Sequence, residues 1–251
     1  MQALSGRTAL ITGASRGIGA AIAKRYAAAG MRVAINYRAD DGAARDTLAG
    51  LQGDGHILVQ SDVSDPSDVC RMVEITATEF GRIDVLVNNA GIFEDQLFLM
   101  EDYGEWQRSW KRILDTNLMS AVNATYCVLP HMKPHGGGKV INVASRAAFK
   151  AEIKAPAYAV SKAGMVCLTR CFARAMAGDN ILSYCIAPGF TGTDMARESM
   201  ETRLPEMVSQ IPLGRVASVE DVAGVALFLA SDDANYLTGV TIDVNGGSYL
   251  H

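Results

Sequence analysis

A doubly wound α/β fold, with a seven-stranded parallel sheet flanked by helices, is what this sequence predicts from three observations. Short apolar runs alternate with helix-forming stretches along the chain. Several runs, among them Val85-Leu-Val87 and Val140-Ile141, are apolar at consecutive positions, so helices must cover both strand faces. A glycine-rich turn joins the first run to the first helical stretch, and no repeat or linker divides the 251 residues. One domain over 1–251 is therefore expected, with 190–213 as the segment that covers a substrate.

Taken in order, Thr8–Thr12 reads as a strand and Ala20–Ala29 as a helix that Gly30 stops. A second strand starts at Met31–Ile35, a helix spans Ala43–Leu51, and a third strand spans His56–Gln60. Asp65 is a good N-cap with Pro66 at the first helical position, so a helix is expected to reach Phe80. Ile83–Asn88 is the fourth strand, and one long helical region follows from Tyr103 to Met132. Gly136-Gly-Gly138 precedes the strand Lys139–Val143, which makes it a tight turn and not a phosphate cradle. After a helix carrying Tyr158 and Lys162, the strand Ile181–Ala187 ends at Pro188-Gly189. Phe190–Leu213 reads as mobile, with Met195, Met200 and Met207 as an adaptable apolar lid or as helix packing. A helix at Val219–Ala230 and a strand at Val240–Val244 complete the pattern.

Composition narrows the function. A net charge of −4 argues against a nucleic-acid partner. Runs such as Val222–Ala230 are too short to cross a bilayer, and Met1–Arg7 lacks the apolar core of a signal peptide, so no membrane and a cytoplasmic location are expected. The five cysteines form no CxxC pair; Cys167 and Cys171, at helical spacing, are expected to be buried packing residues. Pro134 separates His131 from His135 and no carboxylate cluster flanks them, so no metal site is expected.

The chemistry is carried by Ser145, Tyr158 and Lys162. Four positions on a helix place Tyr158 and Lys162 on one face. A free phenol titrates near pH ~10, and a neighbouring ammonium is expected to lower that value, making the pair an acid or base near neutrality. Ser145 follows an apolar strand and can donate a hydrogen bond to a carbonyl oxygen as charge develops there. The turn Gly13-Ala-Ser15-Arg16-Gly17-Ile18-Gly19 lies where a doubly wound sheet binds a dinucleotide, with backbone N–H groups and a helix N-terminus facing phosphate.

This set resembles the short-chain dehydrogenase/reductase family, a Rossmann-fold family, over essentially the whole chain. The resemblance rests on Thr12-Gly-x-x-x-Gly-x-Gly19, Asn88-Asn-Ala-Gly91, Asn117, Ser145, Tyr158-x-x-x-Lys162 and Pro188-Gly189 in the family's order. It implies hydride transfer between a nicotinamide cofactor and a small carbonyl or alcohol. Tyr158 would be the general acid or base, Ser145 would hold the substrate oxygen, and Lys162 would tune the tyrosine and bind the ribose. Asn117 would anchor a water linking the lysine to solvent. Gly13, Ser15, Arg16, Gly17, Ile18 and Gly19 would hold the phosphates. Asn89, Ala90 and Gly91 would line the adenosine side, Asp62 and Val63 would meet the adenine, and Pro188, Gly189 and Thr193 would border the nicotinamide. A homotetramer is implied as well.

Nearest in look are the 3-oxoacyl-[acyl-carrier-protein] reductases, including the ending Tyr236–Gly247. Such enzymes usually carry basic residues for an acidic carrier. The corresponding positions here hold Gly136 and Asp179, with Lys133, Lys139 and Arg174 nearby, and the segment Glu94–Trp110 is about four residues longer than usual. Thr191 stands where an aliphatic residue is common. For the cofactor, strand two ends Asn36-Tyr37-Arg38 without an acid, and Arg16 sits in the glycine turn, which suits the 2′-phosphate of NADP over the hydroxyl of NAD. The expectation is an NADP(H)-dependent carbonyl reductase or alcohol dehydrogenase; the alternative is a non-catalytic NADP(H)-binding regulator, which would need no intact Ser145, Tyr158 and Lys162.

Overall fold

Seven strands line up in the order β3-β2-β1-β4-β5-β6-β7, every neighbouring pair parallel. They are β1 (Thr8–Ile11), β2 (Arg32–Tyr37), β3 (Ile57–Gln60), β4 (Val85–Asn88), β5 (Gly138–Val143), β6 (Ile181–Pro188) and β7 (Thr241–Val244). The computed structural model describes residues 4–95, 102–193 and 197–250. Chain order reverses between β1 and β4, and the crevice at their C-terminal ends is where ligands bind such sheets.

Each connection is helical, and the caps explain the boundaries. α1 (Gly17–Ala28) follows β1; α2 (Asp41–Ala49) begins under the Asp40 side chain; α3 (Pro66–Phe80) begins under Asp65 and stops at Gly81 in the left-handed region. One core lies between the sheet and α1 with α8 (Val219–Ala230), built on Ile11, Ile22, Tyr26, Ile35, Val87 and Leu229. The opposite face packs Leu10 and Leu86 of the sheet against Met72 of α3 and Val128 and Met132 of α5 (Ser120–Met132). Fully covered strands on both faces account for the continuous apolar runs.

Two expectations need correction, the unbroken helix and the buried cysteines. The long helix from Tyr103 to Met132 is interrupted: α4 (Tyr103–Leu114) and α5 are joined by a π-helical turn, Asp115–Met119. A single widened turn changes only the local hydrogen bonding to i→i+5, which residue propensities do not reveal. The segment Phe190–Leu213 contains α7 (Arg197–Ser209). Pro205 within it and the exposure of residues 202–206 hid the helical period. Met195 and the side chain of Met200 lie outside the described residues; Met207 is buried. α6 (Pro156–Met176) crosses the π turn at Gly164, where a Cβ would come within 2.8 Å of Leu118 Cδ2. This close crossing brings Tyr158 and Lys162 beside Asn117.

Cys167 and Cys171 are exposed on α6, not buried. His131 pairs with Glu74 at 3.1 Å, and among the described residues no group of three or more His, Cys, Asp or Glu could hold a metal ion. No helix of the described residues is long and apolar enough to cross a membrane.

Candidate active site

The turn between β1 and α1 is fixed by sterics and by side-chain hydrogen bonds. Gly13 adopts a φ of 61°, and a Cβ on it would meet Ala90 Cα at 2.9 Å. A Cβ on Gly19 would lie 2.5 Å from the Gly13 carbonyl oxygen, so no larger residue fits. Asn36 Oδ1 accepts from Gly13 N at 3.1 Å. Thr12 Oγ1 accepts from the backbone N–H groups of Asn89 and Ala90, each at 3.0 Å, and Asn89 Nδ2 donates to the carbonyls of Thr12 and Gly13 at the same distance. The ends of β1 and β4 are stitched into one rigid edge.

Arg16 is the N-cap of α1 and gives it no side-chain cap. By contrast α2, α3, α4 and α8 start under Asp40, Asp65, Asp102 and Ser218. The first-turn amides of α1 are left for an acceptor from outside, the arrangement that binds phosphate. Ser15, Gly17 and Ile18 lie on this turn; a Cβ on Gly17 would stand 3.6 Å from Thr193 Cγ2, so the chain after β6 closes over it. At the far end, Arg16 and Arg38 are exposed, and Arg38 Nη1 is 4.0 Å from Asp62 Oδ2. Asp62 Oδ1 accepts from the Ser64 N–H and hydroxyl, at 2.9 and 2.7 Å, and Val63 is buried.

The reactive end converges on Gly91. A Cβ there would be 3.4 Å from both Lys162 Nζ and Asn117 Oδ1. Asn117, fully buried in the π turn, clamps Ile92 with both ends of its amide, accepting from the N–H at 2.8 Å and donating to the carbonyl at 3.0 Å, and also donates to Ser161 Oγ at 3.1 Å. Lys162 Nζ donates to the Val143 carbonyl at 2.9 Å, and burial pulls its pKa down to about 8. Ser145 caps the short helical turn Arg146–Ala148 and interacts with the Tyr158 hydroxyl. Phe93 meets the Tyr158 ring edge to face, centroids 5.1 Å apart. Pro188 ends β6, and Gly189 passes so near Asn245 that a Cβ would be 2.9 Å from its Cα.

The tyrosine departs from expectation in one respect. Burial raises the Tyr158 pKa, Ser145 lowers it, and Glu152 raises it again. Lys162 Nζ stands 5.7 Å from the ring centroid and is itself desolvated, so the chain alone does not make the phenol acidic. A phenol kept neutral is a proton donor, which favours carbonyl reduction.

Two contributors escaped the sequence reading, Asn36 beneath the phosphate turn and Phe93 over Tyr158, and Thr12 stood in the glycine motif without a role of its own. Asn36 was visible only as a strand-end residue. Thr191 now has a role, its hydroxyl donating to the Gly189 carbonyl at 3.1 Å while its backbone bridges Ala217. Of the cations near the expected carrier rim, Lys133 is held by Asp179 at 2.7 Å. Lys139 is buried, donating to the carbonyls of Leu229 and Ser231, with its pKa lowered to about 8.

Comparison with known proteins gives concordant results. The family model described as enoyl-(acyl carrier protein) reductase matches residues 13–249. The chain is 37% identical over 246 residues to the 3-oxoacyl-[acyl-carrier-protein] reductase FabG of Staphylococcus aureus, covering 97% of this chain and 98% of that protein. Identity to the protein of the same name from Escherichia coli K12 is also 37%, over 98% of each chain. Among solved structures, a putative short-chain alcohol dehydrogenase from Sinorhizobium meliloti superposes with a TM-score of 0.89 at 34% identity, covering 98% of this chain and 97% of that one. A short-chain type dehydrogenase/reductase from Mycobacterium marinum gives 0.89 at 33% identity, covering 99% and 97%.

Proposed function

The chain belongs to the short-chain dehydrogenase/reductase family, and we propose that it reduces the ketone of a 3-oxoacyl compound to a secondary alcohol with NADPH. The observation that carries this reading is the meeting of Lys162 and Asn117 at Gly91, with Tyr158 beside Ser145, on the edge that also bears the uncapped start of α1. The cradle fits the dinucleotide: free first-turn amides take its phosphates, and Arg16 and Arg38 supply charge for a 2′-phosphate.

When bound, NADPH supplies the hydride. Ser145 donates a hydrogen bond to the ketone oxygen, and Tyr158 gives that oxygen its proton as the alcohol forms. Lys162, charged at neutral pH, would hold the ribose hydroxyls of the bound cofactor and offsets the charge left on the phenolate. Asn117 holds Ile92 and Ser161 in place, and thereby the helix face that carries Tyr158. Phe93 keeps water off the ring.

The 3-oxoacyl group is taken from the names of the curated relatives. With Lys133 and Lys139 engaged within the chain, the rim offers Arg174 to an acidic carrier, so the proposal concerns the oxoacyl group and not the carrier. A cytoplasmic homotetramer completes the proposal. Tyr126 on α5 and Val160, Cys167 and Cys171 on α6 present small and apolar side chains outward, surface that a second copy would cover, and free thiols suit a reducing compartment. The test is NADPH oxidation by purified protein with ethyl acetoacetate and its longer 3-oxo homologues, alongside NADH. Formation of the 3-hydroxy product with a preference for NADPH supports the reading; no turnover across the series overturns it.

A further inference from the structure

The substrate end holds a buried charge that the reaction above does not use. Arg146 directly follows Ser145 and is only 7% exposed. Its Nη1 donates to Ser248 Oγ at 3.0 Å, and its guanidinium carbon lies 3.8 Å from the centroid of the Phe190 ring. Among the described residues no carboxylate pairs with it; Glu152 acts on it only through space, and burial pulls its pKa down. A guanidinium offers five N–H donors. Removing such a cation from water without a counter-ion is costly, and proteins keep buried charges where something pairs them.

Its surroundings belong to the substrate end. Phe190 opens the segment that leads to α7, immediately after Gly189. Ser248 follows Gly246 and Gly247, which pack on Ile211 and Pro212 of that segment. Tyr249 Oη donates to the Phe149 carbonyl at 3.2 Å, and Lys150 Nζ donates to Gln210 Oε1 at 3.2 Å. Arg146 therefore sits where the Ser145 turn, the covering segment and the 245–249 turn converge. From 146 to 154 the chain carries Arg146, Lys150 and Lys154 against Glu152 alone, a cationic patch in a protein of net charge −4.

We propose that Arg146 anchors a carboxylate of the substrate, so that the preferred ketone is an oxo acid whose carboxylate lies a few bonds from the reacting carbonyl. This rests on the ketone-reducing reading given above. The planar fork of arginine matches a carboxylate with two parallel hydrogen bonds, and adjacency to Ser145 limits the distance between the two groups on the substrate. A neutral ketone of the same size leaves the cation unpaired.

Acetoacetate and ethyl acetoacetate present the same 3-oxo carbonyl with and without the charge. The wild-type enzyme with NADPH is expected to use acetoacetate with the higher kcat/KM. Arg146→Gln should lower that value ~10–100-fold, mainly through KM, while leaving the ester within about twofold. Arg146→Lys, which keeps the charge but loses the fork, should fall between them, and it is read in the same way if the Gln variant does not fold. Equal loss on both ketones would reveal a structural role and overturn the proposal, as would a wild type indifferent to charge. If the wild type turns over neither ketone, the proposed reaction fails, and acetoacetate titrated against the fluorescence of the enzyme–NADPH complex decides the anchoring separately. Charge-selective binding that Arg146→Gln removes sustains it, and no such binding overturns it.

Discussion

The two ends of the cleft are held by different means. At the cofactor end, Asn36 and Asn89 hydrogen-bond to the backbone of the phosphate turn, Thr12 to the backbone that follows β4, and Gly13 and Gly19 leave no room for a side chain. At the substrate end, the turn after Ser145, the segment before α7 and the 245–249 turn touch through long side chains: Arg146 to Ser248, Lys150 to Gln210, Tyr249 to Phe149. A dinucleotide has one shape, and a rigid backbone cradle suits it. Substrate choice is set by side chains that can be exchanged without disturbing the sheet.

That contrast predicts a graded response to mutation. Gly19→Ala, which forces a Cβ to 2.5 Å from a carbonyl oxygen, should be the most damaging change, weakening NADPH binding ~100-fold or more and lowering the melting temperature; fluorescence titration and thermal unfolding read both. Arg38→Asp removes a cation from the 2′-phosphate end and sets a second carboxylate beside Asp62, so the NADPH-to-NADH preference should fall ~10–100-fold with the fold intact. Unchanged NADPH kinetics would move the phosphate contact elsewhere. Thr191→Val, which loses a single hydrogen bond to the Gly189 carbonyl, should cost about 1 kcal/mol of stability by denaturant unfolding.

The pH response separates chemistry from folding. Burial lowers the Lys162 pKa from 10.5 to about 8, so the charge needed to offset the phenolate is lost early, and kcat/KM for reduction should decline as pH rises through about 8. Stability should move the other way. Between about pH 8 and 10 the unfolded chain keeps protons that folded Lys162 and Lys139 have released, so their contribution to stability rises with pH across that window. A kcat/KM that stays flat to pH 10 would remove Lys162 from the reaction.

How far the sequence alone could reach follows the same division. The parallel sheet, the glycine turn and the placement of Asp65-Pro66 at the start of α3 are written in local rules of period, cap and turn. The roles of Thr12 and Asn36 depend on the end of β4 and the turn after β1 arriving beside them, which spacing does not reveal. Cys167 and Cys171 have the composition of a core face yet point outward, because helical spacing shows that a stripe is apolar without showing which side is covered. Tyr158 and Lys162 were correctly placed on one helix face, yet the direction of the tyrosine pKa was not, since burial outweighs a cation 5.7 Å from the ring.

The most direct measurement is the NADPH-dependent reduction of ethyl acetoacetate by wild type and Tyr158→Phe, with cofactor affinity measured on both. A Phe variant that binds NADPH normally and turns over ~100-fold more slowly or worse is the expected result. Normal turnover by that variant would take the proton donor, and the reaction built on it, out of this cleft.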